Sequence, residues 1–288
     1  MPLRQEYADS ALAQSESGKG LARVGAVAIY RDFVFVRLNP QGIGFDAYFG
    51  PSLQWLDNMV DRSPTGRLVV AGGIIRNEIR CNWKVYLENI NDVVHPVSTH
   101  ESAGKSAKTV WESQPHPQEE PLPMAVEQML PFASGYDFFN RLDAEIYSNG
   151  HCAVAVGLST HTGYAYPQDY QDALAQAHGA QRAQEVLAKA PQNSTLFPSI
   201  AVKGAPLVMR VLRPLAANRM MLEAWSFRAE GAPDLLNERA ITYNRLVFSP
   251  MSIVAHDDIH LFECVQKGLE ADGNEWVSLH RGHNAADP

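Results

Sequence analysis

The chain has 288 residues, 45% of them hydrophobic, enough to bury a substantial core without disulfide or metal staples in one large domain or two small ones. A formal net charge of −8 and a pI near 5.7 argue against non-specific nucleic-acid binding, which would draw on a basic face. Cys81, Cys152 and Cys264 lack a Cys-x-x-Cys pairing, and no stretch suits export or a bilayer span, so a reduced, cytoplasmic protein with no membrane partner is expected.

In chain order, Met1 to Lys19 is polar, with Ser15, Ser17, Gly18 and Gly20 marking a flexible, turn-rich stretch. Leu21 to Leu38 reads as two short strands split at Arg31-Asp32, closed by Asn39-Pro40-Gln41-Gly42. Phe45 to Arg62 spaces Phe49, Leu53, Leu56, Met59 and Val60 for a short amphipathic helix. Gly66 to Gly73 follows as a strand and a plain turn, since no Gly-Lys-Ser/Thr follows the glycine pair.

Trp83 to Val94 contains no Gly or Pro, and Trp83, Leu87, Ile90 and Val94 recur at helical intervals. Pro96 is expected to end that helix and to push His95 out of the α region. Glu101 to Pro123 mixes Ser102, Gly104 and Ser106 with Pro115, Pro117, Pro121 and Pro123, which predicts a cover or loop without regular structure, His116 exposed within it. Met124 to Tyr147 could supply a helix, Gly150 to Leu158 a strand, and Asp169 to Ala190 a surface helix. His151, His161 and His178 read as structural or exposed.

Asn193 to Val202, Pro206 to Leu215 and Met220 to Arg228 are β-favouring runs. In them Arg210, Arg213, Asn218 and Glu223 alternate with apolar neighbours, as a half-buried antiparallel sheet requires. Helices over Pro233 to Phe248 and Asp258 to Leu269 precede a polar tail containing Arg281-Gly282-His283, and there is no internal repeat.

The chemistry concentrates between Asn82 and His100. Asp92 lies one turn before His95, close enough to hydrogen-bond the ring and fix its tautomer. A helix end and a turn can bring His95 and His100 together, as one regular helix face cannot. Two neutral imidazoles and one carboxylate on one face of Fe(II) leave the opposite positions open for dioxygen and substrate. The carboxylate must come from elsewhere, and Asp257-Asp258 at the start of the last amphipathic segment suits a helix N-terminus.

Asn82-Trp83-Lys84, Glu88-Asn89, Asp92-x-x-His95-x4-His100 and the late Asp258 together resemble the catalytic domain of the α-subunits of Rieske non-haem iron aromatic-ring-hydroxylating oxygenases. The resemblance implies iron ligands at His95, His100 and Asp258, the last preferred over Asp257 because it stands five residues before Glu263. It also implies that Asp92 is a bridging carboxylate, that Asn89 is a polar neighbour of the metal, and that Asn193, Phe197 and Phe248 line the substrate cavity. Val94 departs from the family, where a Tyr is frequent before the first histidine.

The fold implied is α+β, a helix-grip domain over residues 45–288 in which a long curved antiparallel sheet wraps around a helix. Residues 1–44 would be the remnant of a Rieske-type β domain, because Tyr30 to Val36 resembles its closing strand. The cofactor implied is mononuclear Fe(II). A Rieske [2Fe–2S] centre needs two Cys and two His, in this family as Cys-x-His and Cys-x-x-His; neither pair is present and no histidine precedes His95. A shortened chain that needs an external electron source is therefore expected. Implied partners are an aromatic substrate, O2, a ferredoxin or reductase, and further subunits in a homotrimer or α3β3 assembly.

Two alternatives compete. A 2-oxoglutarate-dependent oxygenase uses the same ligand types but in the order His-x-Asp followed by a distant His, whereas here both histidines precede the aspartate. A non-catalytic helix-grip binder of apolar small molecules would take up no stoichiometric Fe(II).

Overall fold

The structure, a computed structural model, describes residues 4–10, 21, 23–117, 120–271, 273 and 276. The turn-rich stretch from Ser15 to Gly20 and the Arg281-Gly282-His283 tail lie outside the described residues. Two compact units divide the chain, Met1–Gly50 and Pro51–Pro288.

In the first unit, β1 (Ala26–Tyr30) pairs antiparallel with β2 (Phe33–Arg37). Arg31 and Asp32 join them at φ +50° and +66°, the double left-handed turn whose twist matches the flanking strands. The helix α1 (Phe45–Phe49) sets Phe45 5.0 Å and Phe49 5.3 Å from the Phe35 ring. That aromatic packing ties α1 to the hairpin within the first compact unit, which ends at Gly50. Gly50 (φ +49°) and Pro51 also break the single helix expected over Phe45 to Arg62.

The second unit runs α2 (Gln54–Val60), β3 (Leu68–Ile79), α3 (Trp83–Asn91), α4 (Pro96–Thr99) and α5 (Glu101–Glu112). Next come α6 (Met124–Met129), a 3-10 turn (Leu130–Ala133), α7 (Gly135–Phe139), β4 (Ala144–Ile146) and β5 (Cys152–Val154). It ends with α8 (Gln168–His178), α9 (Ala180–Ala188), β6 (Asn193–Leu196), β7 (Ile200–Lys203), β8 (Val208–Ala216), β9 (Arg219–Ala229), α10 (Asp234–Phe248) and α11 (Ala255–Leu269). Among the described residues the strands form one seven-stranded antiparallel sheet, ordered β3-β9-β8-β7-β6-β5-β4. The fold is thus α+β with a large antiparallel sheet. Helix α3 packs over β5, β6 and β8, while α10 packs over β9 and β3. Ile79, Ile90, Leu212, Leu222, Tyr243 and Phe262 meet between these layers as the main core. Among the described residues no helix is long and apolar enough to cross a membrane.

Several elements differ from expectation for identifiable reasons. Gly72 and Gly73 (φ +74° and +83°) do not end the strand but form a bulge inside β3, where the register slips between Val70 and Ile74. Glu101 to Glu112, expected to lack regular structure, is helix α5: its prolines begin only at Pro115, and Glu101 and Lys105 pair at 2.9 Å across one turn. Pro131 and Gly135 (φ +74°) cut the expected Met124 to Tyr147 helix into short pieces, and Gly179 (φ +84°) divides α8 from α9.

Candidate metal centre

The asparagine of Asn82-Trp83-Lys84 is a cap and a strut. Its Oδ1 accepts from the Lys84 N–H at 3.1 Å, which starts α3, and its Nδ2 donates to the Ala217 carbonyl at 2.7 Å. Its own N–H donates to Gln266 Oε1 at 2.8 Å. Gln266 lies on α11, the helix that carries Asp258, so the cap couples the two halves of the site.

Helix α3 stops at Asn91, because Asp92 is extended (φ −93°, ψ 115°). The Asp92 carboxylate accepts from the N–H groups of Val94 (2.8 Å) and His95 (3.1 Å), folding the chain into a tight turn. Here the expectation for His95 fails: it is α-helical (φ −51°, ψ −33°), and Pro96 opens α4 rather than closing α3. Pro is favoured at the first position of a helix, where its missing N–H would have had no partner anyway. His95 and His100 flank the single turn of α4, with ring centroids 5.4 Å apart and planes at 82°.

Asp258, in the first turn of α11, completes the group: one donor atom each from His95, His100 and Asp258 lies within 4.8 Å of the others. Asp258 Oδ1 is 3.2 Å from His100 Nε2 and 4.0 Å from His95 Nε2. Asp257 stands outside this triangle, its Oδ2 3.7 Å from His100 Nδ1 and its side chain 43% exposed. Asn89 Nδ2 donates to Asp258 Oδ1 (3.2 Å) and to His95 Nε2 (3.0 Å). Among the described residues no other trio of His, Cys, Asp or Glu meets this closely.

The donors fit a divalent metal. His95 Nδ1 lies 2.9 Å from the Asp92 backbone carbonyl, and a carbonyl only accepts, so the proton is on Nδ1 and the Nε2 lone pair faces Asp258. The Asp92 main chain makes this hydrogen bond, while its carboxylate Oδ1 lies 3.9 Å from the same ring nitrogen. Burial pushes the His95 pKa down, against the opposing pull of Asp258, and so favours the neutral ring that metals bind. His100 is almost fully buried against the edge of Phe132, and its Nδ1 has no hydrogen-bond partner. With a metal on Nε2, that Nδ1 would carry the proton and face the Asp257 carboxylate.

The donors open onto a cavity of about 50 Å³. Asn193 and Phe248 line it. The Asn193 carboxamide is engaged, however: Nδ2 donates to the Ile90 carbonyl (2.8 Å) and Oδ1 accepts from Arg210. Phe197 lies outside the cavity lining. Beyond the end of β6 it packs near Trp83, at the opposite end of α3 from Asn89, with its N–H donating to His151 Nδ1 at 2.9 Å. Four residues of extended chain carry it on the order of 13 Å from Asn193.

Two further lining residues escape sequence reasoning. Nothing in its local pattern marks Lys203, and simple alternation puts Arg210 on the polar face of the sheet, yet they are only 3% and 4% exposed. One signal exists for Arg210. Arg210 and Arg213 are three apart, so a strand must send them to opposite faces. Arg213 does reach the outer side, where with Arg76 it holds the buried Glu223 (3.1 and 3.0 Å) and lowers its pKa.

The α+β fold brings together three donors, His95, His100 and Asp258, that could hold one metal ion. Residues 67–282 match the family model for the ring hydroxylating α subunit (catalytic domain), and the chain belongs to that family, which depends on non-haem iron. It is 26% identical over 280 residues to the anthranilate 1,2-dioxygenase large subunit of Acinetobacter baylyi, covering 93% of this chain and 56% of that one. It is also 26% identical over 285 residues to the N,N-dimethyl phenylurea N-demethylase subunit alpha of a Sphingobium species, covering 93% and 59%. A naphthalene 1,2-dioxygenase with indole bound in the active site shares the fold, with a TM-score of 0.66 and 19% identity over 94% of this chain and 58% of that one. The chain thus spans little more than half the length of these relatives.

Proposed function

We propose that this chain is the catalytic part of a ring-hydroxylating oxygenase α subunit, which uses O2 to hydroxylate an aromatic compound at non-haem Fe(II) held by His95, His100 and Asp258. The observation that carries the reading is the meeting of those three donors, from two remote parts of the chain, beside a cavity. Bound iron supplies the activation of dioxygen.

The chain's own residues do the rest. Asp92 sets the His95 tautomer through its carbonyl. Asn89 donates to Asp258 Oδ1, orienting that carboxylate. Phe132, Phe139, Val247 and Val254 keep the surroundings of the donors apolar and exclude water. Electrons come from outside the catalytic domain, through a ferredoxin or reductase, and further subunits complete a trimeric or α3β3 assembly with Asp92 at a subunit seam. The hairpin unit is read as the end of a Rieske-type β domain, a reading supported by alignments that reach beyond the catalytic-domain match. The relatives' names span a carboxylated ring, anthranilate, and a neutral one, dimethyl phenylurea.

Anaerobic loading with Fe(II), followed by metal analysis, tests the assignment. One iron per chain is expected in the wild type and none in His100→Ala. A wild-type chain that binds no iron would favour the non-catalytic binder instead.

A further inference from the structure

We infer that the cavity beside the metal donors takes an aromatic carboxylate, with Lys203 and Arg210 holding the carboxylate group. The inference rests on reading that cavity as the substrate chamber of an oxygenase.

The sheet register places both cations. Arg210 on β8 pairs with Ala201 on β7, Lys203 pairs with Val208, and Leu222 on β9 pairs with Leu212. Side chains two apart on a strand share a face, so Lys203, Arg210 and Leu222 all point from the inner face of the sheet into the cavity. Two cations thus stand side by side in the interior. Lys203 Nζ donates to the Gln192 carbonyl at 2.5 Å and lies 5.5 Å from the centre of the Tyr243 ring. Arg210 donates to Asn193 Oδ1, lies over Phe248 at 5.2 Å, and reaches the Tyr86 hydroxyl only at 3.5 Å. Its Nε is buried with no hydrogen-bond partner. Among the described residues neither cation has an ion-pair partner.

A chamber for a neutral hydrocarbon has no use for such groups. Buried charges without counterions destabilise the fold, and the loss is recovered only when an anion arrives. With Fe(II) held by His95, His100 and Asp258, the single carboxylate would leave the metal site net positive. Burial and the neighbouring Arg210 hold the Lys203 pKa well below its ordinary range, and an arriving carboxylate favours its charged form. Both side chains are long and lie folded onto neighbouring groups. They can swing to meet a carboxylate as the ring displaces them, since the open volume of about 50 Å³ is smaller than a benzene ring needs.

The test is calorimetric binding of benzoate, benzamide and acetate to the full chain, in the wild type and in Lys203→Gln and Arg210→Gln, with Fe(II) uptake measured on the same preparations. Benzoate is expected to bind at least roughly tenfold more tightly than benzamide or acetate, the range of a charge-assisted hydrogen bond, with that preference reduced in both variants. Equal or weaker binding of benzoate in the wild type overturns the inference whether or not the variants fold. So does a preference that survives in both variants. Iron uptake separates the two readings: iron binding without benzoate preference removes only the carboxylate site, and benzoate preference without iron binding removes only the oxygenase.

Discussion

Asp92 grips His95 at two points: its carboxylate accepts the His95 backbone N–H at 3.1 Å, and its backbone carbonyl faces ring Nδ1 at 2.9 Å. One residue therefore shapes the turn and sets the imidazole. Asp92→Ala removes the acceptor that folds the turn, and Fe(II) affinity is expected to fall roughly 10- to 100-fold, as for other groups that orient a metal ligand. Asp92→Asn keeps an acceptor oxygen and should retain near-normal iron affinity in an anaerobic chelator competition. If the charge itself bridges to a neighbouring subunit, this variant keeps iron yet loses turnover with electron donors.

Iron should stabilise the fold through the same donors. At a free concentration about 100 times its dissociation constant, a ligand specific for the native state adds about 2.7 kcal/mol. For a domain of this size that raises the melting temperature by roughly 5–10 °C. Asp258→Ala is expected to abolish the shift in a thermal melt, whereas Asp257→Ala should leave most of it, since Asp257 lies outside the donor triangle.

Gly104 allows α5 to touch the Leu130–Ala133 turn. A Cβ there would lie 2.5 Å from the Ala133 backbone nitrogen and 3.0 Å from the Met129 carbonyl oxygen. Gly104→Ala is expected to destabilise the protein by about 1–3 kcal/mol in urea unfolding. Because that turn carries Phe132, whose ring meets His100, iron affinity should weaken as well.

Lys203 offers a pH-dependent prediction. The groups facing it are Arg210 on β8, Tyr243 on α10, and His161, whose own pKa is lowered by burial and by Lys203. The folded-state pKa of Lys203 is depressed, so the unfolded chain binds more protons between that value and 10.5. The destabilisation is complete below the folded pKa and fades as pH rises toward 10.5. Lys203→Met should therefore stabilise the ligand-free protein, by about 1–3 kcal/mol at neutral pH, with a gain that shrinks at alkaline pH. A purely structural lysine would show a loss at every pH.

Much of the site is legible in the order of residues. Asp92, His95 and His100 sit within one short stretch, where spacing alone brings them near each other. The φ-positive hairpin at Arg31-Asp32 and helices α10 and α11 follow from local punctuation and apolar periodicity. Boundaries set by competing caps are less legible: Asp92 ends α3 through its own hydrogen bonds, which leaves Pro96 free to begin a helix.

What the amino-acid order determined by itself was the inventory of donors and the register of their nearest neighbours, because both depend on a few adjacent bonds. The tertiary structure alone decided why Phe197 stands apart, and that Lys203 and Arg210 point inward. A strand presents two faces of equal standing, and only the layer packed against it makes one of them the interior. Here that layer is α3 and α10, and it turned two cations toward the cavity that the metal donors share.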